Sequence, residues 1–465
     1  MSDRNAPPPP DTIAAIATPA GRGGVGIVRV SGAASRVDAI ARAIVARPLS
    51  PRMATQAMFR DASGEPLDSG LVLFFPAPHS YTGETVLELQ GHGSPAALRL
   101  ILARCVGLGA RLAGPGEFTQ RAFLNGKLDL AQAESVADLI DAATGTAARA
   151  AARSLSGEFS RAVHAIVERL TELRMYTEAT LDFPDEDIEF LRAGDVASRL
   201  ASLRAAVAAL VVRALAGARL REGLAVVLIG RPNVGKSSLM NRLAREEAAI
   251  VTAIPGTTRD TIEREVEIGG MAVSVIDTAG LHDTDDEVER LGIARTLVAI
   301  ERADIALVIV DARAAGATLD PADAALLERI PARLPRVVIH NKADLAAIAP
   351  HVEEREGDSV HERHVWLSAL TGSGVDLLEQ EVAALAGVTS TNEDAFLARA
   401  RHLVALDAAE VHLESASRHL AIDAPAIELF AEDLRAAQQA LASITGEFTA
   451  DDLLGEIFSR FCIGK

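Results

Sequence analysis

GRPNVGKS, residues 230–237, completes the apolar run LAVVLIG and opens a helical run, SLMNRLA. The spacing is G-x-x-x-x-G-K-S in a strand–loop–helix context. Glycines let successive backbone N–H groups curl around phosphate, and the helix N-terminus adds partial positive charge. In this pattern Lys236 reaches the β- and γ-phosphates and Ser237 holds Mg2+. DTAG, 277–280, closes the apolar run MAVSVI, which sets Asp277 to hold a Mg2+-bound water and Gly280 to meet the γ-phosphate. NKAD, 341–344, follows another apolar run, and the Asp344 carboxylate can accept two hydrogen bonds that guanine donates and adenine cannot. SAL, 368–370, can place a backbone N–H near guanine O6. The nucleotide contacts expected are Asn233, Val234, Gly235, Lys236, Ser237 and Ser238; Thr252, Ala253, Ile254, Pro255, Gly256, Thr257 and Thr258; Asp277, Thr278, Ala279 and Gly280; Asn341, Lys342, Ala343 and Asp344; and Ser368, Ala369 and Leu370.

In order and spacing these four elements resemble a Ras-like GTPase. Two details narrow the resemblance. Leu281 follows DTAG, where Ras-type enzymes carry the glutamine that orients water. An apolar side chain cannot do that, so another group must; DTDDEVERLG, 283–292, supplies acids, each of which by type alone reads as a solvated loop residue. The second detail is TAIPGTTRD, 252–260, in which Thr257 and Thr258 are switch residues and Thr258 completes the Mg2+ shell. Asn233 sits where a side-chain oxygen can face the phosphates. An oxygen-lined cavity there can hold a monovalent cation, which replaces an arginine finger by neutralising developing charge.

The elements that must position these residues are written in changes of texture. Residues 1–11, with four consecutive prolines, read as a disordered lead. Residues 12–127 mix strand-like runs (IAAIAT, GVGIVRVSG, LVLFFPAP, TVLELQGHG) with helical stretches near 34–46 and 94–107, which predicts an α+β domain. Residues 128–220 carry apolar stripes at helical spacing, Val163, Ile166, Val167, Leu170 and Leu173, then Val196, Leu200, Leu203, Val207 and Leu210, and predict long antiparallel helices broken by FPDEDIEF. Residues 221–388 hold continuous apolar runs of the kind buried on both faces of a sheet. Residues 389–465 return to helices, so an α/β block is inserted in a helical domain. The fold class is thus multi-domain, α/β and α.

Composition bounds the partners. With 46 basic against 64 acidic side chains the net charge is −18, which excludes a broad nucleic-acid grip by this chain alone. Two cysteines, Cys105 and Cys462, exclude a disulfide framework or a cysteine zinc site. No apolar run approaches the ~20 residues of a membrane span, and the start has no signal-peptide pattern. A cytoplasmic location without membrane attachment is expected.

GRGGVGIVR (21–29), TGETVLELQGHG (82–93), PGEFTQRAFLNGKLDLAQAE (115–134), LDFPDEDI (181–188), PGTTRD, DTAGLHDTDDEVERLGI and ITGEFTADDLLGEIFSRFCIGK (444–465) carry a fuller resemblance. With the nucleotide motifs, they make the chain similar to the MnmE (TrmE) family of tRNA uridine-modification GTPases over all but the lead. The resemblance implies an N-terminal folate-binding and dimerisation domain, and a helical domain split by the Ras-like G domain. It implies a homodimer that works with the FAD-dependent partner MnmG (GidA) in a heterotetramer. Together they add a carboxymethylaminomethyl or aminomethyl group to carbon 5 of the wobble uridine of certain tRNAs. The one-carbon unit comes from a tetrahydrofolate derivative, 5-formyl- or 5,10-methylene-. The resemblance further implies that GTP hydrolysis is stimulated by potassium and by G-domain dimerisation. Carried onto this chain, the potassium ligands are Asn233, Thr252, Ile254 and Thr257, and Glu289 is the catalytic glutamate that positions water. The folate contacts are Arg29, Glu88, Lys127 and Lys465; by residue type alone the first three read as surface ion pairs. Ala253 and Leu370 depart from common patterns without threatening the assignment.

The tail FCIGK, 461–465, does not suit prenylation, because Gly464 and Lys465 replace the required aliphatic and permissive residues. Cys462 is retained as a possible reactive thiol of open role, whereas Cys105, in ILARCVGLG, reads as a buried structural thiol. The competing class is an Era-like GTPase that binds structured RNA, which calls for a basic appendage not visible here.

Overall fold

The computed structural model describes residues 11–182, 195–246, 263–277, 300–313, 320–356, 361–387, 395–421 and 426–447, together with 454, 457–459, 461, 462 and 464. The chain divides into two compact units. The first gathers residues 1–137, 154–203 and 408–465, and the second 138–153 and 204–407.

In the first unit, β1 (Ile13–Ile16), β2 (Gly23–Gly32), β3 (Thr55–Arg60), β4 (Pro66–Phe75), β5 (Thr85–Gly93) and β6 (Arg111–Leu112) form a sheet ordered β3-β4-β5-β2-β1-β6. The β1–β6 pair is parallel and the others antiparallel. Helices Ala34–Val45 and Pro95–Gly107 supply Val37, Ile40, Ile44, Leu98 and Ile101 to a core with Val28, Val30, Val72, Leu87 and Leu89. Each such fully buried side chain contributes about 1.5–3 kcal/mol, an upper value because the unfolded chain is itself partly collapsed. Strand β3, TQAMFR, was not among the expected strands. It lies at the sheet edge, buries only Ala57 and Phe59, and breaks its apolar pattern with Gln56 and Arg60. Asp11 does not belong to a loose lead, because Arg111 and Arg121 both bind its carboxylate. Helix Glu158–Asp182 packs on helix Ile427–Thr445, and Arg174 donates to Gln438 at 2.6 Å.

In the second unit, β7 (Leu224–Gly230), β8 (Glu263–Ile268), β9 (Met271–Asp277), β10 (Ile305–Asp311), β11 (Arg336–Asn341), β12 (His351–Glu356) and β13 (His361–Trp366) are ordered β12-β13-β11-β10-β7-β9-β8. The five central strands are parallel and the two edge strands antiparallel. Alternate residues enter two separate cores: Val226, Leu228, Leu307 and Ile309 in one, Val227, Ile229, Val308 and Val310 in the other. Burial on both faces is why these strands read as unbroken apolar runs. The edge strand β12, HVEERE, is charged, as exposed edges tend to be, and escaped the apolar pattern. Strand order reverses beside β7, so the loop after β7 opens at the crevice where doubly wound sheets bind ligands.

The helical stretch expected over 128–220 begins with two short helices, Leu130–Asp141 and Gly145–Leu155, before the long Glu158–Asp182 and Asp195–Glu222. The Thr144 hydroxyl caps the second by accepting from Ala147 N–H at 3.1 Å, which sets it apart from the first. Helix Asp195–Glu222 is long and apolar enough to cross a membrane by length and composition, which the sequence reading did not foresee. Its stripe Val196, Leu200, Leu203, Val207 and Leu210 is buried, as a core-facing helix requires.

Candidate nucleotide site

Helix Lys236–Glu246 starts inside GRPNVGKS, so Ser237 and Ser238 stand exposed in its first turn. The loop before it is bent by two left-handed residues, Asn233 at φ 61° and Gly235 at φ 106°. Asparagine tolerates this region better than most side chains. At Gly235 only glycine fits, because a Cβ would lie 2.1 Å from Asn341 Nδ2.

Three motifs far apart in sequence are tied into one block. Asn341, buried at the end of β11, donates from Nδ2 to the Val234 carbonyl at 2.8 Å and accepts from Ala369 N–H at 2.9 Å. It therefore joins the phosphate loop to SAL. Lys342, at φ 66°, donates to the Asn233 carbonyl at 2.7 Å and to Asp311 Oδ2 at 2.8 Å. Asp311 also accepts from Arg313, and these bonds hold its carboxyl far below the usual range despite the opposing effect of burial. Ala343 is buried, and Asp344 next to it is exposed, so its carboxylate is open to a ligand. The turn at SAL closes through Ser368 N–H to the Ser373 carbonyl at 2.9 Å, while Arg242 donates to the Ala369 and Leu370 carbonyls. Since Ala369 N–H is taken by Asn341, that amide is not aimed at a base in this arrangement.

Lys236 Nζ donates to the Gly230 and Arg231 carbonyls. Arg231 in turn grips Asp323 with two bonds of 2.7 and 2.8 Å and reaches Asp320 at 3.2 Å. Asp320 is also the N-cap of helix Pro321–Glu328. Burial pushes the Asp323 carboxyl up, yet Arg231 is held more firmly charged. The two shifts pull apart; the bidentate fork favours the ionised pair. Asp277 ends β9 opposite Leu228. Thr252, Ala253, Ile254, Pro255, Gly256, Thr257, Thr258, Thr278, Ala279, Gly280, Glu289 and Lys465 lie outside the described residues.

In the first unit, Arg29 and Glu88 are cross-strand neighbours on β2 and β5 and pair at 2.9 Å. The Arg29 guanidinium lies 5.6 Å from the Tyr81 ring centre and 5.7 Å from that of Phe118. Lys127 is exposed, its stem beside Gly83 in the turn that follows Tyr81. The tail docks on the same domain. The Cys462 carbonyl accepts from Gly116 N–H at 3.3 Å, and buried Gly464, at φ 98°, approaches so closely that a Cβ would lie 2.3 Å from the Ile16 carbonyl. One turn, Gly114–Phe118, thus touches the tail with Gly116 and faces Arg29 with Phe118. The Cys462 residue is exposed, whereas Cys105 is buried and its thiol is pushed up to about 12.

Sequence reading missed Asp311, the Arg231–Asp323 pair, and the buried Arg121, which binds Glu84 and Glu117 as well as Asp11. Asp311 carried a usable signal, an acid closing an apolar run as in DTAG; the other two pairings join residues up to 110 apart and carried none.

Residues 12–127 match the GTP-binding protein TrmE N-terminus, and residues 130–462 match the MnmE helical domain. The chain is 56% identical to the tRNA modification GTPase MnmE of Azoarcus sp. (strain BH72) over 460 residues, covering 99% of each chain. It is 56% identical to the protein of the same name from Chromobacterium violaceum, covering 98% of this chain and 99% of that one. Among solved structures, Aquifex aeolicus Era is similar at 22% identity and a TM-score of 0.26, covering 41% of this chain and 66% of that one. The chain belongs to the MnmE family of tRNA modification GTPases and is a GTP hydrolase acting in tRNA modification.

Proposed function

We propose that this GTPase is potassium-activated and drives, with a flavoprotein partner of the MnmG type, modification of carbon 5 of the wobble uridine in certain tRNAs. The observation that carries the reading is the pinned phosphate loop. Asn233 is fixed by Lys342 through its carbonyl, and the residue itself stays exposed at the loop's crest. A fixed backbone with an exposed amide side chain suits a cation ligand. The donor set fits the groups implied. Gly235 lets the phosphate loop close against Asn341, Ser237 stands in the first helical turn, and the Asp344 carboxylate is open for guanine.

In this reading Asn233, Thr252, Ile254 and Thr257 hold potassium, and Ser237 and Thr258 hold Mg2+. The bound cations supply positive charge where negative charge develops on the transferred phosphoryl group. Lys236 binds the β- and γ-phosphates, Asp344 orients the base, and Glu289 positions the attacking water that Leu281 cannot. Arg29, Glu88, Lys127 and Lys465 hold a tetrahydrofolate derivative, which supplies the one-carbon unit. The aromatic faces beside Arg29 suit a flat heterocycle, and the docked tail brings the chain's end to the same domain. The protein acts as a cytoplasmic homodimer within a heterotetramer with the FAD-bearing partner. With a net charge of −18, it leaves most of the tRNA grip to that partner.

Steady-state GTP hydrolysis in potassium and in sodium at equal ionic strength, with Glu289→Ala as control, tests the reading. A rate at least about tenfold higher in potassium, lost in the variant, is expected. Equal slow rates in both salts would remove the cation mechanism.

A further inference from the structure

The phosphate loop is anchored on two shoulders. One is the shoulder already described, where Asn341 and Lys342 bind the Val234 and Asn233 carbonyls. The other is Arg231. Its guanidinium forks onto Asp323, which is 2% exposed, and touches Asp320, so its position is set by helix Pro321–Glu328. Its main-chain carbonyl, together with that of Gly230, receives the Lys236 ammonium. One residue therefore links a rigid carboxylate pair to the carbonyl cradle of the phosphate-binding lysine.

We propose that Arg231 is a positioning residue for GTP hydrolysis, which through its Asp323–Asp320 clamp sets the place of Lys236. The inference rests on the nucleotide-site reading above. Lys236 is a point charge on a flexible stem, so its effect on the reacting phosphate depends on what aims it. Charge builds on the transferred group in the transition state, and a misplaced cation loses most of its value there. GDP lacks the γ-phosphate, so Lys236 contributes less to its binding, while backbone N–H groups and the base motif, which the other shoulder keeps in place, supply the rest. Loosening Arg231 therefore lowers turnover more than it lowers GDP affinity.

The test uses the full chain with Arg231→Gln, Arg231→Lys, Asp323→Asn and the Arg231→Gln/Asp323→Asn double variant. Readouts are kcat for GTP, GDP affinity and melting temperature. Expected for Arg231→Gln is a kcat about tenfold lower with GDP affinity within about threefold. Asp323→Asn should match it, and the double variant should be no worse than either, as partners in one unit behave. Arg231→Lys keeps the charge without the fork and should recover only part of the loss. It carries the same test if Arg231→Gln fails to fold: reduced kcat with unchanged melting supports the clamp. A kcat at the wild-type level in both Arg231 variants, or single losses that multiply in the double variant, would overturn it. Lys236→Ala separates the two levels. If that variant hydrolyses GTP normally, the nucleotide-site reading itself fails; if it is inactive while both Arg231 variants turn over normally, only the clamp fails.

Discussion

The nucleotide site and the N-terminal domain hold their polar residues in different ways. Around the phosphate loop, side chains bind main-chain carbonyls, Asn341 to Val234, Lys342 to Asn233, Lys236 to Gly230 and Arg242 to Leu370, beside the Arg231–Asp323 and Lys342–Asp311 ion pairs. In the N-terminal domain, the arginines of one network bind carboxylates. Arg121 meets Glu84, Glu117 and Asp11; Arg111 meets Asp11 and Glu117; Arg29 meets Glu88. A carbonyl cannot be mutated or protonated away, so the first arrangement depends on loop geometry. The second depends on every partner being ionised and present.

The contrast predicts where each region breaks. In the nucleotide unit the largest effect comes from backbone geometry. Gly235→Ala forces a side chain into a left-handed conformation and onto Asn341 Nδ2. GDP affinity measured by titration should fall about 100-fold or more, roughly 3 kcal/mol, with little change in melting of the N-terminal unit. In the N-terminal unit the largest effect comes from one charge. Among the described residues, Arg121→Ala leaves Glu84 with no cationic partner and Glu117 with only the half-exposed Arg111. Truncating one side of such a pair costs about 3–5 kcal/mol, which denaturant unfolding followed by Cys105 alkylation should report, since that thiol is reachable only when its core opens.

Acid sharpens the comparison. His340 and His364, at 2.9 Å, sit buried beside Trp366, with His351, Glu353, Arg355 and Glu362 around them. Burial, and then the neighbouring His364, lowers His340 from 6.5 to about 3. The unfolded chain takes the proton first, so this stability is whole above pH 6.5 and drains as pH falls toward 3. The loss should be about 2 kcal/mol by pH 5 for one histidine. Burial would raise Glu117, but Arg111, Gly114 N–H and Arg121 together bring it below 4.5. Its contribution is intact above that value and is lost only as pH falls below it. Trp366, the single tryptophan, should therefore report loosening of the nucleotide unit at a higher pH than Cys105 alkylation reports for the N-terminal unit. Coincident acid transitions would contradict the difference.

The same contrast explains what could be read in advance. Motifs such as GRPNVGKS and NKAD are legible because loop geometry ties residue type to spacing, and the central strands are legible because both faces are buried. Edge strands β3 and β12 mix charge into their pattern and were not legible. Nor were Arg231 with Asp323, 92 residues apart, or Arg121 with Asp11: an arginine and an acid far apart in sequence carry no sign that they will meet. The break at Thr144 was hidden because alanine-rich sequence on both sides keeps helical spacing.

NKAD is fastened to the phosphate loop through Asn341 and Lys342, and Asp344 should read guanine. Hydrolysis of GTP and of xanthosine triphosphate by Asp344→Asn tests it most directly. The carboxylate accepts from guanine's ring N–H and amine, whereas an amide can donate to the carbonyl that xanthine carries instead. The variant should lose GTP hydrolysis at low substrate by about 100-fold and gain hydrolysis of xanthosine triphosphate. Undiminished GTP hydrolysis with no activity on the xanthine nucleotide would contradict the account.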